Sequence, residues 1–289
     1  MMNYLLISSL AGLILFTACG QGGPEVKQSF SVMSYNLRYD TESDGINQWD
    51  NRKERVVSLI RLYRPGFLGI QEGLLNQVEF LEEELEHYGR IGGGRDDGGD
   101  EGEFSALYFD TTRFELAEDS EQTLWLSENP GEPGKSWDAA LPRILTFGKF
   151  RDLQTGKSFY VFNTHFDHIG QTAREESAKL ILEIIREQAE DFPVLLTGDF
   201  NITEDNPAYQ ELTNEGSGLT DAYYVSENPH VGPDFTFEGF EVKSSDNQRR
   251  IDFIFVSGQV SVLNHAIISS FREGYYPSDH LPVYAVIDL

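Results

Sequence analysis

Short runs of apolar residues rich in valine, isoleucine, phenylalanine and tyrosine recur from residue 30 to the end of the chain, and they limit its fold more than any other feature. Runs of this length and composition predict β-strands. They lie at 30–37, 67–70, 104–109, 144–150, 159–166, 194–197, 251–256 and 282–287. A chain with this many strands has to bury most of them in sheets.

Three longer stretches repeat their apolar residues with a helical period, at 50–63, 77–87 and 172–190. Asp50 and Thr172 stand where N-caps are expected. The helices come early and in the middle, and pairs of strands separate them. This order favours mixed sheets covered by helices over a repeated parallel array. We therefore predict an α/β fold in which two packed sheets carry helices on their outer faces.

The start of the chain has the form of an export signal. Residues 1–18 contain an apolar run from Leu5 to Phe16 that is too short to span a bilayer comfortably. Residues 16–19, Phe-Thr-Ala-Cys, resemble the lipobox of bacterial lipoproteins. Cys19 is the only cysteine and has no internal disulfide partner. We expect a signal peptide at 1–18 and lipidation of Cys19, with a plain signal peptide or an uncleaved anchor as alternatives.

Two glycine-rich segments are expected to be loops. Residues 20–28 predict a flexible tether, which places the folded domain at 29–289. The tract 92–100 has no hydrophobic residue to bury, and we expect a mobile surface loop there. Glycine-rich loops that hold phosphate usually lead into a helix. A strand follows this one, so the phosphate-binding alternative is less favoured.

The formal net charge of −26 bears on the choice of substrate. Such a charge repels polyanions, so long nucleic acid and anionic membrane surfaces gain no long-range attraction. A small phosphorylated substrate fits this charge better, although solubility or salt adaptation explains an acidic excess equally well.

Polar side chains follow several of the predicted strands. Asn163-Thr164-His165 closes one strand, and Gly198-Asp199-Phe200-Asn201 closes the next one across a helix. This arrangement places an imidazole, a carboxylate and an amide at one edge. Asn36 and Glu72 end two earlier strands, and carboxylate and amide oxygens are the ligands that hard divalent cations prefer.

The pair Asp279-His280 adds a second histidine before the last strand. Adjacent residues on an extended backbone face opposite ways, so each of the two needs a different partner. Asp252 opens the strand at 251–256 and is placed to reach the ring of His280 and fix its tautomer. Asp279 is then free to face a metal ion.

Six motifs in this order resemble the endonuclease/exonuclease/phosphatase superfamily: Tyr-Asn at 35–36, Gln-Glu at 71–72, Asn-Thr-His at 163–165, Gly-Asp-Phe-Asn at 198–201, Arg-Ile-Asp at 250–252 and Ser-Asp-His at 278–280. The resemblance covers residues 30–289. It implies a four-layer α/β-sandwich with two mixed, mainly antiparallel sheets packed face to face. Residues 163–168 look more like the sphingomyelinase, deadenylase and uncharacterised bacterial branches than like deoxyribonuclease I.

The resemblance also implies roles for individual residues. Mg²⁺ or Mn²⁺ would be held by Asn36, Glu72 and Asp279 near the scissile phosphate. The catalytic set would be Asp199 and Asn201 on the attacking water and the phosphate, His280 with Asp252 as base or donor, His165 as a second donor, and Glu103 against His165. Whether Asp199 or His280 takes the proton of the water stays open.

Further residues near the motifs are candidates for contacting the substrate, namely Arg38, Trp137, Arg143, Asp167 and His168. The sequence thus predicts a monomeric, divalent-metal-dependent phosphoesterase that hydrolyses a phosphodiester or phosphomonoester in the bacterial periplasm or at the cell surface. Its partner would be a small phosphorylated substrate or a phospholipid headgroup, and the lipid anchor would be its only membrane contact. The alternatives are an exported nuclease and a surface protein that binds a phosphorylated ligand without turnover.

Overall fold

The computed structural model describes residues 28–240 and 248–289, and the strands in these ranges form two sheets. In chain order the elements are β1 (Phe30–Asn36), a 3₁₀ turn (Glu42–Asn47), α1 (Trp49–Tyr63), β2 (Phe67–Gln71), α2 (Leu75–Glu84), β3 (Tyr88–Ile91), β4 (Leu107–Asp110), β5 (Phe114–Leu116), β6 (Gln122–Trp125), β7 (Ile144–Asp152), β8 (Ser158–His165), α3 (Gln171–Ala189), β9 (Val194–Asp199), α4 (Pro207–Thr213), β10 (Leu219–Asp221), α5 (Ala222–Val225), β11 (Asp252–Ser257), β12 (Ser261–Ile267) and β13 (Val283–Asp288).

Both sheets are mixed. Sheet 1 has the strand order β12-β13-β1-β2-β4-β3, and sheet 2 has the order β10-β11-β9-β8-β7-β5 with β6 paired to β7. In the described ranges β1 and β2 run parallel, as do β8 and β9, and the other neighbouring strands run antiparallel. Each sheet therefore has one parallel pair near its centre, and each pair ends in polar residues.

The two sheets pack face to face through a layer rich in phenylalanine. The ring centroid of Phe67 in sheet 1 lies 4.6 Å from that of Phe114 and 4.8 Å from that of Phe150, both in sheet 2. Aromatic pairs at such distances add about 0.5–1.5 kcal/mol each beyond the burial of their area. The phenylalanines that made the short runs look like strands thus also join the sheets.

Helices cover both outer faces. Val56 and Ile60, one turn apart on α1, are buried in a cluster with Ile70 of β2. On the other side Ile181 of α3 is buried in a cluster with Leu196 of β9. The order of layers is helix, sheet, sheet, helix. The predicted four-layer α/β-sandwich is confirmed.

A polar contact in the middle of the sandwich sets how the sheets meet. Asn163 Oδ1 accepts hydrogen bonds from Gln71 Nε2 at 2.7 Å and from Thr197 Oγ1 at 2.9 Å, and Asn163 Nδ2 donates to Ile70 O at 2.8 Å. A Cβ on Gly69 would lie 2.4 Å from the Asn163 and Thr197 oxygens. Because Gly69 has no Cβ, the Asn163 amide fits beside it and joins the two sheets.

The predicted helix caps were wrong. The N-cap residues are Gln48 and Gly170, not Asp50 and Thr172, and neither of them makes a side-chain capping bond. Asp138 supplies the carboxylate for α3 from a distant loop, because it accepts the N–H of Thr172 at 3.2 Å and that of the next residue at 2.7 Å. A cap that comes from another part of the chain leaves no local sequence signal.

The eight predicted strands are present with shifted ends, and the largest shift is that of β4, which begins at Leu107 and not at residue 104. The strands β3, β5, β6, β10 and β12 and the short helices α4 and α5 were not predicted from the sequence. The predicted signal peptide, Cys19 and nearly all of the tether lie outside the described residues. Within the described residues, no helix combines the length and the apolar character needed to cross a membrane.

Candidate active site

The candidate catalytic residues meet where the two parallel strand pairs end. His165 and Asp199 are register partners at the last positions of β8 and β9, and Asp252 stands opposite Asp199 at the start of β11. In sheet 1, Asn36 ends β1 opposite Gln71. Parallel strands bring their carboxyl ends to one edge, so residues far apart in the sequence converge.

A bond between the two sheets holds the centre of the site. Asn36 Nδ2 donates to Glu72 Oε1 at 3.0 Å and to Asp199 Oδ2 at 2.8 Å. The guanidinium of Arg38 lies 3.9 Å from Glu72 Oε2 and 3.9 Å from Asp279 Oδ2. Glu72 has a φ of 61°, which is rare for a residue with a side chain. This strained backbone turns Glu72 towards the carboxylates of the other sheet.

The cluster offers donor atoms for a cation. Glu72, Asp199 and His280 each present one ligand atom within 4.8 Å of the others. Burial raises the pKa of Asp279, and burial followed by the Asp252 charge raises that of Asp199. Carboxylates that are this close and this buried repel one another, so a bound cation would stabilise their charged forms.

Asn36, predicted as a metal ligand, presents its nitrogen to this cluster. Its Oδ1 accepts the backbone N–H of Arg38 at 2.9 Å. The side-chain oxygen would have to leave that bond before it could face a cation. The oxygens already directed into the cluster belong to Glu72 and Asp199.

His280 is held by a carboxylate. Its Nδ1 lies 2.8 Å from Asp252 Oδ2, and its Nε2 lies 3.8 Å from Asp199 Oδ2. The ring of Phe237 packs edge-on at 5.0 Å between centroids. Burial alone would lower the pKa of His280, but Asp252 and then Asp199 raise it well above its usual range. Asp252 therefore favours the protonated form of this ring, which is a hydrogen-bond donor.

His165 has the opposite surroundings. Its Nδ1 lies 2.9 Å from Nη1 of Arg143, and its Nε2 lies 3.0 Å from Asn201 Nδ2 and 3.4 Å from Asp199 Oδ2. Burial and then the Arg143 charge lower the pKa of His165. Glu103, predicted to stand against this ring, is 4.0 Å away and pairs with Arg95 at 2.6 Å. The guanidinium of Arg143, at 2.9 Å, is the nearer partner of Nδ1.

Two predicted substrate contacts lie elsewhere. Asp167 is buried and accepts four backbone N–H groups, those of residues 140, 141, 169 and 170. It orders two loops and has no oxygen left for a substrate. Trp137 is not among the residues that line the cavity. His168 does line the cavity, and Arg143 Nη2 lies 3.1 Å from its Nδ1.

The site opens into a cavity of about 670 Å³. Its lining residues are Arg38, Tyr39, Glu72, Arg95, Glu103, Leu141, Arg143, His165, His168, Asp199, Asn201, Phe237, Arg249, Ile251, Asp279 and His280. Four arginines are thus gathered in one cavity of a chain whose net charge is −26. Sequence reasoning missed Tyr39, Arg95, Leu141, Phe237, Arg249 and Ile251.

Arg95 reaches the cavity because the glycine tract forms a closed turn, where a mobile loop was expected. Gly94 N donates to Gly99 O at 2.7 Å, and Trp125 Nε1 donates to Arg95 O at 2.7 Å. A Cβ on Gly94 would lie 2.1 Å from the carbonyl oxygen of Glu101. Glycine is therefore needed at position 94, because two backbone segments of the turn lie in close contact there. The turn places the Arg95 guanidinium in the lining of the cavity.

The comparisons with known proteins agree with this fold. The chain is similar to an endonuclease/exonuclease/phosphatase from Bacteroides vulgatus, with 39% identity over 91% of this chain and 100% of that chain and a TM-score of 0.87. It is also similar to the mannosyl-6-phosphatase Bt3783 of Bacteroides thetaiotaomicron, with 37% identity over 90% of this chain and 100% of that chain and a TM-score of 0.83.

A more distant relative is similar in sequence. The uncharacterized protein L388 of Acanthamoeba polyphaga mimivirus is 26% identical over 270 residues, which are 86% of this chain and 96% of that protein. The sequence model of the Endonuclease/Exonuclease/phosphatase family matches residues 33–280. This chain therefore belongs to the endonuclease/exonuclease/phosphatase family.

Proposed function

We propose that the protein is a divalent-metal-dependent phosphatase that removes phosphate from a phosphorylated sugar. The observation that carries this proposal is that carboxylates and guanidinium groups line one cavity. Glu72, Asp199 and Asp279 line it together with Arg38, Arg95 and Arg249. A metal-bound phosphate suits both kinds of group, since carboxylates hold the ion and guanidinium groups bind phosphate oxygens.

The donor set suits Mg²⁺ or Mn²⁺, which prefer oxygen ligands. Glu72 and Asp279 would hold the ion, with Asn36 and Asp199 beside them. His280 is the less suitable ligand, because its Nδ1 contacts Asp252 at 2.8 Å and this carboxylate favours the protonated ring, which has no free electron pair at Nε2. When bound, such an ion neutralises charge that grows on the phosphate oxygens in the transition state.

The pKa values of Asp199 and His280 are both raised, and these shifts favour a division of roles between the two residues. Asp199 is the better base for the attacking water, because burial raises its pKa and so increases its affinity for a proton. The charged His280 is the better donor, and its Nε2–H can stabilise the phosphoryl oxygens. Asn201 N donates to Asp199 Oδ1 at 2.9 Å and would keep this carboxylate oriented.

The arginines of the cavity support a monoester over a diester. A phosphate monoester carries up to two negative charges, and Arg38, Arg95, Arg143 and Arg249 all line the cavity. A volume of about 670 Å³ is within the range of small-molecule sites. The relative at 37% identity is a mannosyl-6-phosphatase, which supports a phosphorylated sugar as the substrate class. The net charge of −26 disfavours long nucleic acid.

We also propose that the enzyme works outside the cytoplasm, attached to a membrane by Cys19. The support is the apolar leader at 1–18 and the Phe-Thr-Ala-Cys motif that follows it. If Cys19 is lipidated, Cys19→Ser should move the protein from the membrane fraction to the soluble fraction with unchanged specific activity. Membrane attachment that persists in this variant would contradict the anchor.

A substrate panel tests the proposed reaction. Release of product is measured with Mg²⁺ or Mn²⁺ for mannose 6-phosphate, glucose 6-phosphate, p-nitrophenyl phosphate, bis-p-nitrophenyl phosphate, sphingomyelin and short oligonucleotides. We expect kcat/KM to be highest for a sugar monophosphate. A diester or an oligonucleotide as the best substrate would replace the phosphatase with a phosphodiesterase or a nuclease. Binding of sugar phosphates without turnover would favour a binding protein.

A further inference from the structure

Arg143 joins the two histidines on the basic side of the site. Its Nη1 lies 2.9 Å from Nδ1 of His165, and its Nη2 lies 3.1 Å from Nδ1 of His168. The side chain is only 5% exposed, with Asp167 and Glu103 each 3.8 Å away. This buried guanidinium therefore contacts two imidazole rings at once, in addition to lining the cavity.

The chemistry of arginine decides what this contact does to His165. A guanidinium has donors and no acceptor, and it stays charged in proteins. The Nδ1 atom of His165 must therefore carry the free electron pair that accepts the bond from Arg143. In a neutral ring the proton then sits on Nε2, which faces the centre of the site, 3.4 Å from Asp199 Oδ2.

Asn201 competes with this arrangement. Its Nδ2 donates to Phe166 O at 3.1 Å and lies 3.0 Å from His165 Nε2, so this amide also turns a donor towards the ring. A neutral imidazole can accept only one of the two bonds. Hydrogen bonds from a charged group are about twice as strong as neutral ones, so the bond from Arg143 should prevail. The Asn201 amide then turns its Oδ1 to His165 Nε2 and loses the neutral bond from its Nδ2 to Phe166 O.

We propose that Arg143 is a positioning residue that fixes His165 as the tautomer protonated at Nε2, so that His165 is a neutral hydrogen-bond donor at the reaction centre. The tautomer follows from these contacts and from the greater strength of the charged hydrogen bond, without any assumption about the reaction. Donation to the substrate phosphate rests in addition on the proposed phosphatase function. The two histidines then differ by their partners, since Asp252 holds His280 through its Nδ1–H and Arg143 holds His165 through its Nδ1 electron pair.

The tautomer can be measured without a substrate. Long-range ¹H–¹⁵N correlation spectra of protein labelled with ¹⁵N-histidine distinguish rings protonated at Nδ1, at Nε2 or at both, and a His165→Gln variant assigns the His165 signals. We expect His165 to be protonated at Nε2 alone near neutral pH. A wild-type ring protonated at Nδ1, or at both nitrogens, overturns the proposal.

Variants test whether Arg143 is the cause. Arg143→Met removes the donors and should produce a fraction of His165 protonated at Nδ1, whereas Arg143→Lys keeps a charged donor and should retain the wild-type tautomer. Arg61→Met is the matched control, because the Arg61 side chain is 54% exposed and pairs with Glu84. Near-UV circular dichroism checks folding. An unchanged His165 signal in a folded Arg143→Met protein contradicts the proposal.

The activity of the same proteins separates this proposal from the proposed function. Loss of a positioned donor lowers kcat by about 10²–10³-fold. We expect a fall of this order in Arg143→Met, a smaller change in KM, and partial recovery in Arg143→Lys. If the wild-type protein hydrolyses no phosphomonoester, the phosphatase proposal fails while the tautomer is still measurable. If Arg143→Met keeps the wild-type kcat, the positioning role fails while the phosphatase proposal stands.

Discussion

Asp252 places its Oδ2 atom 2.8 Å from Nδ1 of His280, although the two residues are 28 positions apart in the sequence. The backbone N–H groups of Asp252 and of the residue before it both donate to Thr236 Oγ1, at 3.1 and 3.0 Å. The start of β11 is thus fixed, and with it the carboxylate that orients the ring. The distance from His280 Nε2 to Asp199 Oδ2, 3.8 Å, leaves this nitrogen able to turn to a phosphate oxygen.

The first prediction concerns His280 and Asp252. His280→Ala should lower kcat by about 10²–10⁴-fold, the range for a positioned acid–base group. Asp252→Asn should also lower kcat, because the ring loses the carboxylate that orients and charges it. The double variant should be little worse than His280→Ala alone, since groups that act as one unit are not additive. Initial rates at saturating substrate measure all three.

Two results would contradict this relation. The losses of the single variants could multiply in the double variant, which would mean that the residues act independently. Alternatively, Asp252→Asn could melt early and regain full activity on cooling, which would make the contact structural. Thermal melting of each variant separates the two cases.

Glu72 gives the second prediction. Glu72→Ala removes one of the oxygens that would hold the metal ion, so half-maximal activity should require a higher Mg²⁺ concentration, and excess Mg²⁺ should restore part of the rate. Glu54→Ala is the matched control, because Glu54 is exposed on α1. Activity is measured across a Mg²⁺ titration. If Glu72→Ala shows the same Mg²⁺ dependence as the wild type, Glu72 does not hold the ion.

The third prediction tests the turn that carries Arg95. A Cβ on Gly94 would lie 2.1 Å from Glu101 O, whereas a Cβ on Gly131 has no atom within 4 Å. Gly94→Ala should therefore reduce the free energy of unfolding by about 1–3 kcal/mol and raise KM for a sugar phosphate. Gly131→Ala should change neither by much. Urea unfolding and steady-state kinetics decide, and equal behaviour of the two variants would contradict the role of the turn.

Acid sensitivity is the fourth prediction. Burial and then the neighbouring His230 lower the pKa of His265 from 6.5 to about 3. Between these two values the unfolded chain binds a proton at this ring that the folded protein does not bind. The free energy of unfolding therefore falls as the pH falls through this window. At pH 5 this ring should lower the free energy of unfolding by about 2 kcal/mol relative to neutral pH, because one pKa unit is worth about 1.4 kcal/mol.

A variant isolates the contribution of this ring. His265→Asn cannot titrate and keeps a donor for Nδ1 of His230, which lies 2.8 Å from the His265 ring. Urea unfolding at pH 5 and pH 7.5 should show a smaller loss of stability on acidification in the variant than in the wild type. The same loss in both proteins would mean that His265 does not cause the acid sensitivity.

The main features of the fold were predictable from local patterns. Short apolar runs rich in valine, isoleucine, phenylalanine and tyrosine predicted eight of the strands, and helical periods predicted α1, α2 and α3. Strands as short as β5 and β10, with three residues each, have too few positions for a pattern. The N-cap predictions were wrong for a different reason, because Asp138 reaches the start of α3 from another loop.

The convergence of the site was also predictable, because His165 and Asp199 end neighbouring parallel strands. The nearest partner of His165 was not, since a sequence does not show that Arg143 would lie closer to that ring than Glu103 does. Arg95 was missed because its place depends on glycine contacts that exist only in the folded turn. Residues on strand ends can thus be predicted, whereas residues on loops depend on tertiary packing.

The most direct test of the proposed function is phosphate release from mannose 6-phosphate by the purified full-length chain, measured with Mg²⁺, after complete chelation with EDTA, and after Mg²⁺ is restored. We predict hydrolysis with Mg²⁺, loss of activity on chelation and recovery on addition of the ion. Hydrolysis that persists at the same rate after complete chelation would contradict the account.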